Sequence, residues 1–138
     1  MTVFVDTSAF FAVIDSDDDN HAAGAQTWKL LLESGVSLVT SSYVLVETAA
    51  LLQNRLGMPA VRLFQQDIVP LLSVEWINAD QHHAGMEAVI AASRKKLSLV
   101  DCVSFQIMRR LGIRGAFCFD GHFPEQGFIT KFPAGYLN

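Results

Sequence analysis

Short apolar runs recur along this chain at spacings that leave room for a helix or two between them. Thr2 to Val5, Ser37 to Thr40, Ser73 to Ile77 and Gly115 to Phe119 read as buried strands. Thr7 to Ile14, His21 to Glu33, Ser41 or Ser42 to about Leu56, roughly Ala60 to Leu72, Asp80 to Ser93 and Ser98 to about Leu111 read as helices. Serine at positions 41, 42 and 98 can cap the helices that follow, and Gly35, Gly57 and Gly112 stop those that precede them. Strands that are apolar on both faces and alternate with helices specify a parallel sheet covered on both sides. The expected fold class is therefore α/β in three layers, with a mostly parallel sheet of four to five strands. The fifth candidate is Phe128 to Lys131, at an edge. At 138 residues, with no linker, repeat or low-complexity tract, the sequence reads as a single domain over 1–138.

Four acidic residues stand where a charge is hard to explain. Asp6 ends Val3-Phe4-Val5, and Asp120 ends Ala116-Phe117-Cys118-Phe119. Glu47 interrupts Val44-Leu45-Val46 and Ala49-Ala50-Leu51-Leu52, and Asp101 sits between Leu99-Val100 and Cys102-Val103. Charged side chains are seldom buried without a partner. No Lys or Arg lies within four positions of Asp6, Glu47 or Asp120, so no local ion pair accounts for them. Asp6 and Asp120 fall just past strand ends, while Glu47 and Asp101 fall in the early turns of helices. In open parallel sheets those places share one rim, the rim where sites form. Each acid also has a local explanation. Asp6 or Asp120 could cap a helix or turn, and Asp101 could complement its helix dipole. Glu47 has Tyr43, Val44, Ala50 and Leu51 as helical neighbours, a face expected to pack inward, where a hydrogen bond from Tyr43 is the local alternative.

Carboxylates gathered together repel, which raises their pKa values unless a counterion is present. A hard divalent cation with oxygen ligands, Mg²⁺ or Mn²⁺, relieves the repulsion and favours phosphate oxygens as further ligands. That is the chemistry of metal-assisted phosphodiester hydrolysis.

The remaining features set bounds. The net charge of −4 argues against an all-over nucleic-acid binder, yet six of ten Lys and Arg lie between positions 94 and 114. Arg94, Lys95, Lys96, Arg109 and Arg110 are candidate substrate contacts, or else solvated helix-end charges. The chain is 51% hydrophobic before glycine is counted, high for one small domain, so an apolar surface that meets a partner is expected. Cys102 and Cys118 sit in apolar segments and read as small buried hydrophobes. The N-terminus lacks a signal-peptide pattern and no run is long enough to span a membrane, so a cytoplasmic setting is expected. Asp15 to Asn20 reads as a loop capping the next helix. It lacks the central Gly and closing Glu of a calcium loop.

The motifs are similar to those of a known family. Val3-Phe4-Val5-Asp6-Thr7-Ser8-Ala9-Phe10-Phe11 resembles the opening of PIN-domain ribonucleases, and Ser42-Tyr43-Val44-Leu45-Val46-Glu47-Thr48 resembles their second acidic segment. Leu97 to Phe105, continuing through Arg109-Arg110-Leu111-Gly112-Ile113, resembles the third; Ala116 to Phe123 resembles the fourth. The resemblance is nearest to VapC-type toxins of toxin–antitoxin pairs. It implies a PIN-like three-layer fold and a Mg²⁺- or Mn²⁺-dependent endoribonuclease leaving 5′-phosphate and 3′-hydroxyl ends. It implies that Asp6, Glu47, Asp101 and Asp120 form the metal site, Asp6 and Asp101 as the firmest ligands. Ser8 and Ser104 match supporting hydroxyls, and could equally be solvated or capping. A homodimer and a small antitoxin are the implied protein partners. The pattern departs from the family at Cys118, where a hydroxyl is common, and at Gly121, where a basic residue is common. His122 fits the family pattern and is read as a loop anchor; His82 and His83 are read as exposed. Two other functions share parts of the pattern. A receiver-like phosphoacceptor domain would need an acidic pair after the first strand and a lysine beyond the last. A non-catalytic domain of the same fold would gain stability by neutralising the four acids.

Overall fold

Four short strands make one all-parallel sheet in the order β3-β2-β1-β4 in the computed structural model, which describes residues 1–137. In chain order the elements are β1 (Thr2–Val5), α1 (Thr7–Ile14), α2 (His21–Ser34), β2 (Ser37–Ser41), α3 (Ser42–Arg55) and α4 (Met58–Leu63). Then come β3 (Ser73–Glu75), α5 (Ala79–Ala92), α6 (Leu99–Leu111), β4 (Gly115–Phe117) and α7 (His122–Glu125). β1 is central. Val3 pairs with Leu38 on one side and with Gly115 on the other. Val3, Phe4 and Val5 are completely buried, as strands covered on both faces must be.

Three expectations need correction. The helix expected over Ala60 to Leu72 breaks up. α4 passes into a wider π turn over Phe64–Ile68 and then a 3₁₀ turn over Val69–Leu71. Pro70 accounts for the end of the regular helix, because it has no N–H to give and its ring crowds the carbonyl four residues back. The fifth strand is reduced to a single parallel bridge between Gly115 and Ile129. The segment in which His122 reads from sequence as a loop anchor is a short helix, α7, pinned by Phe123, whose ring meets Phe105 edge-on at 5.0 Å and stacks with Phe4 at 6.4 Å.

α6 is held in place by a close approach to α5. A Cβ on Gly85 would lie 2.6 Å from Val103 Cγ2, so only glycine lets the two helices meet at this separation. Gln106 Nε2 donates to the Ala84 carbonyl across the same seam at 3.0 Å. At its far end α6 stops at Gly112, which adopts a left-handed conformation (φ 69°). No helix among the described residues is long and apolar enough to cross a membrane. Both cysteines are buried and unpaired.

Candidate metal centre

The site begins where β1 ends. Asp6 follows Val5, and its N–H donates to the Phe117 carbonyl at 3.0 Å, which extends the β1–β4 pairing by one residue. The chain then turns into α1 with Asp6 as its N-cap. Asp6 Oδ2 accepts from Ser8 N at 3.2 Å and from Ser8 Oγ at 2.7 Å. Ser8 Oγ in turn accepts from Phe119 N at 2.9 Å. One hydroxyl thus joins the first acid to the segment that carries the fourth. Thr7 Oγ1 lies 2.9 Å from Thr48 Oγ1, tying α1 to α3 one residue beyond Glu47.

Asp101 occupies the third position of α6 and forms a reciprocal cap with Ser98. Its N–H donates to Ser98 Oγ at 3.0 Å, and its Oδ2 accepts from Ser98 N at 3.2 Å. Asp120 lies beyond β4, with Oδ1 accepting from His122 N at 2.8 Å. The His122 ring turns back toward both acids. Nδ1 is 3.1 Å from Asp120 Oδ1 and 3.4 Å from Asp101 Oδ2, yet it is buried and makes no properly aligned hydrogen bond. One potential ligand atom from each of Asp101, Asp120 and His122 lies within 4.8 Å of the others.

Electrostatics unite the four acids. Asp6 is 4% exposed, and loss of water pushes its pKa from 3.8 to about 6. The Ser8 hydrogen bonds oppose that shift, and the charges of Asp101 and Glu47 add to it. Loss of water likewise raises Glu47 and Asp101. Glu47 also feels Asp101 and Asp120, and Asp101 feels Asp120. Among the described residues no Lys or Arg forms an ion pair with any of the four. Desolvated oxygen donors that repel one another and lack a basic partner fit a hard divalent cation.

The other sequence candidates divide. Glu47 does not sit on an inward face. The residue is exposed, beside Val46 at 69% exposure. The other face of its helix, with Val44, Thr48 and Leu52, is the one that packs into the protein. Tyr43 does not bond Glu47 but makes a hydrogen bond with half-buried His82. Ser104 is completely buried and donates to the Val100 carbonyl at 2.8 Å, so its hydrogen is used within α6. Arg94, Lys95 and Lys96 lie in the exposed loop leading to the α6 start, with Arg94 paired to Glu125. Arg109 and Arg110 are about 15–17 Å further along that helix at 1.5 Å per residue. Arg109 bonds Gln126 and lies over the Phe128 ring, and Arg110 pairs with Glu75 at 3.1 Å. Both are occupied away from the acids. The residue that sequence reading undervalued is His122. Its signal was present, a histidine two positions after a strand-end aspartate, but nothing local showed which way the ring would turn.

Comparison with known proteins agrees with this geometry. The family model described as PIN domain matches residues 3–129. The protein named 23S rRNA-specific endonuclease VapC20 of Mycobacterium tuberculosis, from strains CDC 1551 / Oshkosh and ATCC 25618 / H37Rv, is 33% identical over 132 residues, covering 95% of this chain and 98% of the relative. The crystal structure of Mycobacterium tuberculosis VapC20, described as a sarcin–ricin loop cleaving toxin, superposes with a TM-score of 0.83 at 31% identity. That superposition covers 94% of this chain and 98% of the other.

Proposed function

This chain belongs to the PIN-domain family, and from that premise we propose that it is a divalent-metal-dependent endoribonuclease, the toxin of a toxin–antitoxin pair. The observation that carries the proposal is the set of mutually repelling carboxylates around buried Asp6 and Asp101, with no lysine or arginine ion-paired to them among the described residues. Asp6, Glu47, Asp101 and Asp120 would hold Mg²⁺ or Mn²⁺. When bound, such an ion supplies positive charge against the phosphate oxygens and makes hydroxide available at neutral pH. Ser8 fixes the Asp6 rotamer, and Ser98 fixes that of Asp101. Glu47 is solvent-accessible, and its raised pKa suits its carboxylate to take the proton of the attacking water. Attack at phosphorus expels the 3′ oxygen, which is protonated from solvent. The products carry 5′-phosphate and 3′-hydroxyl ends.

The substrate class follows from the relatives. With near full-length coverage at 33% identity, the sarcin–ricin loop of 23S rRNA is the first substrate to try. Arg94, Lys95 and Lys96, beside the α6 start, would meet the RNA backbone, so binding should weaken as salt rises. A small antitoxin and a second copy of the chain are the proposed protein partners. Exposed Val46, Trp76 and Ile90, at 69%, 73% and 70%, support such contacts.

The test is incubation of purified protein with ribosomes and with extracted 23S rRNA in Mg²⁺, Mn²⁺ or EDTA, followed by mapping of new 5′ ends. A discrete cut that needs metal and disappears in Asp101→Asn, with RNA binding kept, is expected. Cleavage that persists in EDTA or in the variant would overturn the proposal.

A further inference from the structure

The His122 imidazole is the one member of the acid cluster that is not an oxygen donor, and its surroundings do not explain its orientation. Its Nδ1 is shielded from water and has no aligned hydrogen-bond partner. It nevertheless points at Asp120 Oδ1 and Asp101 Oδ2, 3.1 and 3.4 Å away. A bare lone pair facing two carboxylates is unfavourable, and an N–H there would be expected to align with one of them. The separations have a different meaning around a cation. Ligands bonded at 2.0–2.1 Å in an octahedral shell have neighbours at about 3.0 Å, the bond length multiplied by √2. The His122–Asp120 distance of 3.1 Å lies close to that edge, the His122–Asp101 distance of 3.4 Å is somewhat longer, and all three candidate ligand atoms fall within 4.8 Å of one another.

The ring is also held rather than free. His122 N donates to Asp120 Oδ1, which fixes the turn, and the next residue, Phe123, is fully buried against Phe4 and Phe105. The buried phenyl anchors α7 and the aspartate fixes its entry. The backbone that carries the imidazole is therefore fixed beside the cluster.

The geometry points to His122 Nδ1 as a direct ligand of the divalent ion, alongside Asp101 and Asp120, making this a mixed nitrogen–oxygen centre that prefers Mn²⁺ to Mg²⁺. An imidazole nitrogen is a softer donor than a carboxylate, and it favours transition-metal ions over magnesium. Asp6 and Glu47, outside the tight triad, then act at the opposite side of the ion or through water. This inference rests on the proposed metal centre and adds the nitrogen ligand and its selectivity.

The experiment reads the ion rather than cleavage. The intact protein is loaded with MnCl₂, and electron spin echo modulation is recorded on unlabelled protein and on protein grown with ¹⁵N-histidine. A directly coordinated nitrogen gives a ¹⁴N modulation that labelling replaces with that of ¹⁵N. His122→Asn puts an oxygen near the Nδ1 position and should abolish the modulation while Mn²⁺ still binds. The other histidines, His21, His82 and His83, remain in that variant as internal controls. In competition titrations the preference for Mn²⁺ over MgCl₂ should fall at least about tenfold, the lower end of what loss of a partner outside the ligand shell causes. Circular dichroism confirms that the variant folds, and the labelled wild type decides the matter without any substitution. Bound Mn²⁺ with no nitrogen modulation in the wild type overturns this inference and leaves the proposed nuclease intact. Failure to bind Mn²⁺ or Mg²⁺ at all overturns both.

Discussion

Replacing Asp6 by Asn should make the metal-free protein more stable. A carboxyl whose pKa rises from 3.8 to about 6 on folding carries a charge that is about 3 kcal/mol less favourable in the native state than in the unfolded chain, at 1.36 kcal/mol per pKa unit. Asn keeps the shape and one oxygen to accept from Ser8 N, but it cannot ionise. Rearrangement around a shorter list of hydrogen bonds reduces the gain, so about 1–3 kcal/mol remains at pH 7.5. For a domain of this size that is a rise in melting temperature of roughly 3–10 °C. The pH dependence has a definite sign. The fold binds the Asp6 proton more tightly than the unfolded chain does. The resulting stabilisation is therefore complete below pH 3.8 and is lost as pH rises through about 6. Wild type in EDTA should melt higher at pH 5 than at pH 7.5, and Asp6→Asn should show a shallower slope. Some slope survives, because Glu47 and Asp101 are raised as well. Mn²⁺ should reverse the ranking by binding only the native wild-type site. Differential scanning calorimetry with and without metal reads all of this. If Asp6→Asn melts below wild type in EDTA at pH 7.5 and the two slopes are equal, Asp6 is not a desolvated, unpaired charge and the electrostatic account of the site is wrong.

Ser8→Ala removes the bond to Asp6 and the acceptor for Phe119 N, so stability should fall by about 1–2 kcal/mol and the Asp6 carboxyl carbon should titrate by NMR above pH 6. Gly85→Ala forces a methyl to within 2.6 Å of Val103 Cγ2 and should cost about 1–3 kcal/mol in urea unfolding. Val103→Ala in the same chain should recover part of that loss, giving a clear coupling in a double-mutant cycle. Burial, with the Asp6 charge behind it, holds the Cys118 thiol well above its ordinary pKa, and burial with the Asp101 charge does the same for Cys102. Neither should react with a disulfide reagent in the native protein at pH 8, and both should react once it is unfolded.

The parts of the fold that follow from local rules were legible in the sequence. Ser41 and Ser98 cap the helices after them, Gly35 and Gly112 end the helices before them, and the apolar strand runs fall on β1 to β4. The four acids were legible for the same reason, since each interrupts a pattern. What escaped depended on contacts between distant segments. Glu47 reads as inward-facing from its apolar helical neighbours, but Val46 and Glu47 are exposed while Val44 and Thr48 take the buried face of the helix. Arg109 and Arg110 cluster with Arg94 to Lys96 in sequence, and the length of α6 separates them in space. The direction of the His122 ring follows from where Phe123 is buried, which no spacing within the Asp120–Phe123 segment reveals.

The hydrogen bond from Phe119 to Ser8, which itself holds Asp6, spans 111 positions. The central β1 strand waits for its last neighbour, β4, which emerges from the ribosome when most of the chain has already been made. A prematurely terminated product ending before β4 would contain three of the four acids, but neither Asp120 nor the Phe119 N–H that Ser8 holds. The complete set of acids therefore exists only once the last strand of the sheet has been made.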